Sequence, residues 1–167
     1  MQKTVEQLGK IDILVNNAGT NILKPIVCGL KYDGWQVADS WDTPITEDDW
    51  HLTLNTNLTS ALLFAQAVVP YMIKQKKGKI INISSNSSDI APPYWSAYCV
   101  SKAGLNMLTR CLATELAPYK INVNAIGPGD ILTELSKPVL ENSEMGKAML
   151  SYIPMGRWGE TREYKIT

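Results

Sequence analysis

The feature that most constrains the fold is an alternation of short apolar runs with long helical patterns along the chain. The short runs are bounded by polar or glycine residues, as buried strands are, whereas the long segments place apolar residues every three or four positions. We predict strands over residues 11–15, 79–84 and 121–126, and helices over residues 47–77 and 96–117. Strands joined by helices of this length pair in parallel through right-handed crossovers. The sequence therefore predicts the α/β fold class.

Both predicted helices carry signals at their ends. Thr46 precedes three acidic residues, a pattern that favours a helix start. The threonine hydroxyl can cap free N–H groups, and the carboxylates lie near the positive end of the helix dipole. Gly78 lies where the first helix should stop, and Pro70 predicts a kink within it. Pro118 closes the second helix.

Small and polar residues follow each predicted strand. They form the segments 16–19 (Asn-Asn-Ala-Gly), 84–86 (Ser-Ser-Asn) and 127–129 (Gly-Pro-Gly). In open parallel sheets, ligands bind beyond the carboxyl ends of the strands. We therefore expect the functional site at this edge of the sheet.

Charge and composition exclude several classes of function. The chain of 167 residues has 16 basic and 16 acidic residues, so it lacks the concentrated positive charge of nucleic-acid and anionic-membrane binders. No apolar run reaches the roughly 20 residues of a membrane span, and residues 1–10 do not resemble a signal peptide, so we expect a cytoplasmic protein. Cys28, Cys99, Cys111 and the single His51 match no disulfide framework or metal site. We expect no metal, and three reduced cysteines that pack.

Tyr98 and Lys102 lie one helical turn apart on the second predicted helix, so they share a face. An ammonium near a phenol lowers the pKa of the phenol, which makes the pair a candidate proton donor and acceptor. The same spacing also arises by chance, and an ordinary helix pair is the alternative. Ser85, at the end of the preceding strand, would add a hydroxyl that donates to a substrate oxygen. The alternative for Ser85 is a bond to local backbone.

Asn57 lies inside the first predicted helix, an unfavourable place for a short polar side chain. It either holds a water for proton relay, or faces solvent or bonds to another side chain. Asn55 competes for the relay role on chemistry alone.

In combination these residues resemble the classical short-chain dehydrogenase/reductases over about residues 8–160. Five segments carry the resemblance, in the family's order and at compatible spacings. They are 14–19 (the NNAG motif), 57–59 (the catalytic asparagine), 83–85 (the serine), 98–102 (the YxxxK motif) and 128–133 (the cofactor loop). The resemblance implies a Rossmann-like, doubly wound parallel sheet.

The resemblance also implies an oxidoreductase that moves hydride between NAD or NADP and a small carbonyl or alcohol substrate. Tyr98 would be the general acid/base, and Lys102 would lower its pKa and hold the nicotinamide ribose. Ser85 would polarise the substrate carbonyl, while Asn57 would anchor a water that links Lys102 to solvent. The residues implied for the cofactor are Asn17, Ala18, Gly19, Tyr98, Lys102, Pro128, Gly129, Ile131 and Thr133. Trp95 would face the substrate with Ser85 and Tyr98.

Two further properties follow from the resemblance. The residues after Thr133, through about Tyr152, would form a mobile helical cover over the substrate. The helices predicted over 47–77 and 96–117 would pair subunits into a homodimer or tetramer, without nucleic-acid or membrane partners. The same helices leave a second interpretation open, a non-catalytic remnant that pairs with itself or with full-length relatives.

The chain departs from the family pattern near both ends. Family members begin with a strand and a glycine-rich TGxxxGxG turn that approaches the cofactor pyrophosphate, and this sequence has no such turn. At the other end the family pattern is matched only through residues 153–160. We therefore expect residues 1–167 to form a single, partial domain that lacks the glycine-rich part and the last strand. NAD and NADP both stay open, as do the substrate and turnover by this chain alone.

Residues 28–43 lengthen the connection between Gly19 and Asn57 beyond the family norm. Trp35 and Trp41 within this insertion either cover a substrate pocket or pack locally in a surface flap.

Overall fold

The computed structural model describes residues 1–30, 43–141 and 143–164. Within them, three parallel strands form one sheet in the order β1 (Ile13–Asn16), β2 (Gly78–Ile83), β3 (Ile121–Ile126). The α-helices are α1 (Gln2–Leu8), α2 (Glu47–Leu54), α3 (Ser60–Gln75), α4 (Ser96–Leu116), α5 (Lys137–Glu141) and α6 (Ser143–Tyr152). The predicted α/β class with a parallel sheet is confirmed.

The strand register brings the three carboxyl ends to one edge of the sheet. Asn16 at the end of β1 lies opposite Asn82 of β2, and Asn82 lies opposite Ala125 of β3. The loops that follow the strands therefore leave from neighbouring points. This is the geometry that a site at the carboxyl edge requires.

The main core lies between one face of the sheet and the helices α3 and α4. Its buried residues are Ile11, Ala65, Val68, Met72, Ile80, Leu116, Ile121 and Val123. The alternation of burial along β2 and β3 shows that one face is packed, while much of the other faces outward.

The predicted single helix over 47–77 is wrong in its continuity. A π-helical turn, Asn55–Thr59, separates α2 from α3, and α3 runs through Pro70 as an α-helix. The helix ends at Gln75, where Lys76 adopts the left-handed conformation with φ 53°, so the stop comes before Gly78. The predicted start is confirmed, because the Thr46 hydroxyl accepts from the Asp49 N–H and the Asp49 carboxylate accepts from the Thr46 N–H.

A buried polar chain links the sheet to α4. The Asn16 side-chain amide donates to Asn82 Oδ1 (2.8 Å), and Asn82 Nδ2 donates to the Thr109 hydroxyl (2.8 Å). The Thr109 hydroxyl in turn donates to the Leu105 carbonyl (2.7 Å). Because Asn82 and Thr109 both have hydrogen-bond partners, this polar chain of side chains holds β1, β2 and α4 together.

A second apolar cluster joins α5 and α6 to the segments around residues 23 and 95. Its buried members are Leu23, Tyr94, Trp95, Val139, Met145 and Met149. The helices therefore lie where the cover after Thr133 was expected. The expected insertion over 28–43 lies largely outside the described residues, and Trp35 and Trp41 lie wholly outside them.

In the described part of the chain, the helical stretch Glu47–Gln75 is long and apolar enough to cross a membrane by length and composition. The core helices of soluble proteins pass the same test. Ala61, Ala65, Val68 and Met72 of this stretch are buried in the fold.

The cysteines are all free thiols, but they differ in burial. Cys99 is half-buried and packs against the second apolar cluster. Cys28 and Cys111 are exposed, so the expectation that all three serve packing is wrong for these two. Apolar periodicity on a helix does not report whether a particular cysteine faces the core.

Candidate active site

A cavity of about 1240 Å³ opens at the carboxyl ends of the three strands, as expected. The loops after the strands, the first turns of α4, and the helices α5 and α6 enclose it. The residues predicted from sequence that line it are Asn17, Gly19, Ser85, Trp95, Tyr98, Lys102, Pro128, Gly129, Ile131 and Thr133. Ala18 and Asn57 are the predicted site residues that do not line it.

Lys102 reaches the cavity from within the core. Its side chain projects from α4, and the residue is only 4 % exposed. The Nζ atom donates to the Ile83 carbonyl at the end of β2 (2.8 Å) and lies 5.5 Å from the centre of the Tyr98 ring. Burial disfavours the charged form and lowers the pKa of Lys102 to about 8.

Tyr98 differs from expectation in the sign of its pKa shift. Burial raises the pKa of the phenol, and the negative charges of Cys99 and Asp130 act in the same direction, while a hydrogen bond with Ser85 opposes them. The expected lowering by Lys102 is therefore not observed. The physical reason is that loss of hydration dominates at this position, while the ammonium bonds to the Ile83 carbonyl.

The local hydrogen bonds expected for Ser85 are observed, and its role towards a substrate oxygen stays a prediction. The residue begins the short 3₁₀ turn Asn86–Ser88, where its hydroxyl accepts from the Ser87 N–H (3.1 Å) and donates to Asn86 Oδ1 (3.1 Å). It is also buried and lines the cavity beside Tyr98, and it opposes the rise in the pKa of that phenol. The local bonds hold the Ser85 hydroxyl at the side of Tyr98.

Asn57 lies behind the cavity in the π-helical turn, a type of irregularity often found at functional sites. Its Oδ1 accepts from the Thr20 N–H (2.8 Å), and its Nδ2 donates to the Thr20 carbonyl (2.9 Å) and the Ser101 hydroxyl (2.9 Å). The side chain therefore ties the loop after β1 to α4. Asn55, its competitor, is exposed and accepts from the Thr59 hydroxyl.

Gly19 brings the loop after β1 close to the two polar groups behind the cavity. A Cβ atom at this position would lie 3.5 Å from Asn57 Oδ1 and 3.7 Å from Lys102 Nζ. After β3, a Cβ atom at Gly127 would lie 3.6 Å from the backbone of Ser85. The loop after β1 therefore lies in close contact with Asn57 and Lys102 at Gly19, which lines the cavity.

Asn21 and Asp130 are among the lining residues to which the sequence analysis assigned no role. Asn21 follows the NNAG segment, and Asp130 follows the Gly-Pro-Gly segment, so both extend strand-end segments already identified. Their position within two residues of those segments was the signal that could have identified them. From the far end of the described chain, Tyr152 and Trp158 complete the wall.

Comparisons with known proteins agree with this geometry. A family model described as short chain dehydrogenase matches residues 1–144. The 3-oxoacyl-(acyl-carrier-protein) reductase of Thermotoga maritima is 37% identical over 163 residues, covering 98% of this chain and 59% of the relative. The NAD-dependent glycerol dehydrogenase of Listeria innocua is 41% identical over 154 residues, covering 92% of this chain and 54% of the relative. The chain thus spans little more than half the length of these relatives.

A solved structure extends the likeness to three dimensions. The crystal structure of a gluconate 5-dehydrogenase from Burkholderia cenocepacia, in complex with NADP and tartrate, matches with a TM-score of 0.80 and 33% identity. The match covers 95% of this chain and 56% of that one.

Proposed function

The chain belongs to the short-chain dehydrogenase family, and from that premise we propose that it interconverts a carbonyl compound and an alcohol by NAD- or NADP-dependent hydride transfer. One observation carries the proposal. Ser85, Tyr98 and Lys102 come from two different elements and line one cavity at the carboxyl edge of the sheet.

Tyr98 is the proposed general acid/base. In the reducing direction its hydroxyl donates a proton to the carbonyl oxygen as the carbonyl carbon takes up a hydride, which yields the alcohol. The raised pKa of Tyr98 supports this direction, because the phenol stays protonated at neutral pH. Ser85, beside Tyr98 in the cavity wall, would donate a hydrogen bond to the same carbonyl oxygen.

Lys102 would act on the other side of Tyr98. Its ammonium donates one hydrogen bond to the Ile83 carbonyl, so two further N–H donors are left for ribose hydroxyls. The remaining residues proposed for the cofactor are Asn17, Ala18, Gly19, Pro128, Gly129, Ile131 and Thr133. When bound, NADH or NADPH supplies the hydride for reduction.

Asn57 is better described as a positioning residue. Its contacts with Thr20 and Ser101 support a role in holding the loop after β1 against α4. The water-anchoring role implied by the resemblance stays a prediction.

Self-association through the helices over 47–77 and 96–117 is part of the proposal. Large apolar side chains on these helices are exposed, and the most exposed are Leu52, Leu63, Phe64, Val100 and Met107. Exposed apolar surface of this kind marks association sites in soluble proteins. The alternative of a non-catalytic remnant would use the same surface, but it gives no reason for Lys102 to be buried beside Tyr98.

The decisive experiment pairs Tyr98→Phe with Tyr119→Phe, the same change at an exposed tyrosine. We expect Tyr98→Phe to lower turnover at least about 100-fold, the size of a lost general acid, while NADH or NADPH binding stays intact. Tyr119→Phe should leave both unchanged. Fluorescence titration measures nucleotide binding, and failure of the unmodified chain to bind either nucleotide at millimolar concentration would contradict the proposal.

A further inference from the structure

One face of α4 carries three polar side chains at successive helical turns, Tyr98, Lys102 and Asn106. The first two belong to the proposed reaction, which gives Asn106 no role. The Asn106 side-chain amide donates to the Ser88 hydroxyl (2.8 Å), in the 3₁₀ turn that begins at Ser85. Asn106 therefore joins the helix that carries Tyr98 to the turn that carries Ser85.

Ser88 extends this contact to the backbone of Ser85. The Ser88 hydroxyl accepts from Asn106 and donates to the Ser85 carbonyl (2.7 Å), which also accepts from the Ser88 N–H (3.1 Å). The same hydroxyl lies 2.9 Å from Asp89 Oδ2, an exposed acceptor that competes for its one proton. A hydroxyl that accepts one hydrogen bond becomes a stronger donor in the next, so the bond from Asn106 strengthens the bond to Ser85.

The other side of Ser85 is attached to the same helix. The Ser84 hydroxyl donates to the Lys102 carbonyl (3.3 Å), and the Lys102 ammonium donates to the Ile83 carbonyl (2.8 Å). Ser85 thus lies between two attachment points on α4, one at Lys102 and the other at Asn106. Because both points lie on one helix, they fix the Ser85 hydroxyl relative to the phenol on that helix.

We propose that Asn106, acting through Ser88, is a positioning residue that holds the Ser85 hydroxyl beside Tyr98 for the proposed reaction. This inference rests on the proposed function, in which Ser85 and Tyr98 act on the same carbonyl oxygen. Asn106 is not among the described residues that line the cavity, so its effect on the reaction has to pass through the turn. Eight helical residues place it about 12 Å from Tyr98 along the helix axis, beyond direct contact of the two side chains.

An NMR signal of the Tyr98 phenol tests this inference without turnover. In the full chain with ¹³C-labelled tyrosines, Tyr98→Phe identifies the Cζ resonance of Tyr98, whose chemical shift responds to hydrogen bonding at the hydroxyl. We expect Ser85→Ala and Asn106→Ala to move this resonance in the same direction. In the Ser85→Ala background, Asn106→Ala should add no further change, because it acts through Ser85.

Further variants separate positioning from a general loss of structure. Asn122→Ala, the same change at an exposed position on β3, should leave the Tyr98 resonance unchanged. Ser88→Ala should reproduce the change caused by Asn106→Ala, whereas Ser88→Thr, which keeps the hydroxyl, should retain the unmodified signal. Alanine favours helices, so Asn106→Ala does not weaken α4 through helix propensity, and circular dichroism checks that each variant folds.

Turnover measures the consequence for the reaction, with 2,3-butanedione as a small ketone probe. The loss of NADH or NADPH fluorescence gives kcat and KM. Asn106→Ala should lower kcat about tenfold and leave nucleotide binding unchanged, because a misplaced catalytic group lowers the rate of the chemical step. In the Ser85→Ala background the same change should have no effect on kcat.

Two results would overturn the inference. One is a Tyr98 resonance that Asn106→Ala leaves unchanged, and the other is a change of equal size with and without the Ser85 hydroxyl. Both leave the proposed hydride transfer standing. Failure of the unmodified chain to bind nucleotide would instead contradict the proposed function, while the Tyr98 resonance, measured without nucleotide or ketone, would still decide the inference.

Discussion

The two faces of the three-stranded sheet differ sharply in burial. On the face that α3 and α4 cover, Ile80 is 0% exposed and Val123 is 6% exposed. On the other face, Ile13 and Val15 of β1 are 53% and 52% exposed. The difference shows that the described chain builds its folding core on one side of the sheet only.

The open face is nevertheless part of the candidate site. Towards the carboxyl ends of the strands, Val15, Ile81, Ile83 and Ile126 line the cavity. Apolar side chains on this face therefore contribute a wall for a ligand, whereas those on the covered face contribute to stability. Neighbouring residues of one strand consequently have different roles, and substitutions can separate them.

The largest difference is expected between Ile80→Ala and Ile81→Ala, neighbours on opposite faces of β2. Ile80→Ala should lower the free energy of unfolding by about 2–5 kcal/mol, because it removes a fully buried side chain and leaves a cavity. Ile81→Ala should cost about 1 kcal/mol or less, because part of this side chain already contacts solvent. Urea unfolding measures both, and equal losses would mean that the two faces do not differ energetically.

A smaller effect on stability is expected from the buried ammonium of Lys102. Because the folded-state pKa of Lys102 is lowered to about 8 from 10.5, the folded chain binds fewer protons than the unfolded chain between these pH values. The free-energy penalty of burying the Lys102 ammonium is thus fully present below pH 8 and is relieved as the pH rises towards 10.5. Relative to Lys102→Met, the unmodified chain should gain up to about 3 kcal/mol of stability over this range.

Unfolding of both proteins in urea at several pH values measures that gain. Lys79→Met, on the open face of β2, provides the matched loss of one lysine. A stability difference between the unmodified chain and Lys102→Met that does not change with pH would show that the Lys102 ammonium is not destabilised by burial.

The smallest effect tests the polar chain on the covered face. Thr109→Val keeps the side-chain shape but leaves Asn82 Nδ2 buried without its acceptor, so it should lower the free energy of unfolding by about 1–2 kcal/mol. Thr114→Val makes the same change on the same helix, where the hydroxyl is exposed and bonds only to the Arg110 carbonyl, and should cost less. Thermal unfolding of both variants measures the two losses of stability. A larger loss for Thr114→Val would contradict a stabilising role of the polar chain.

Local patterns predicted the strands and α4 because the signals that set them are local. The apolar run of β3 is observed over the predicted residues, and α4 begins at the predicted residue. The break between α2 and α3 could not be predicted in this way. It lies where Asn57 bonds to Thr20 and Ser101, residues that are distant in sequence and meet only in the folded chain.

The candidate site was predictable in position but less so in its electrostatics. The rule for parallel sheets located the edge at which Ser85, Tyr98 and Lys102 meet. The sign of the Tyr98 pKa shift depends on burial by other parts of the fold, which the spacing of a tyrosine and a lysine does not report. Asp130 was given no role for a related reason, since its half-buried place in the cavity wall is visible only when its neighbours are known.

The π-helical turn has a further consequence for how α2 and α3 are oriented. Each α-helical residue adds about 100° of rotation, so a wider turn between two helical segments shifts the angular phase of one against the other. The angular position of the α2 capping residues relative to the apolar stripe of α3 therefore differs from that in one continuous α-helix. A single helical wheel drawn through residues 47–75 therefore places the side chains of α2 and α3 in the wrong relative phase. An insertion or deletion in the π-helical turn would rotate α2 about its axis relative to the sheet.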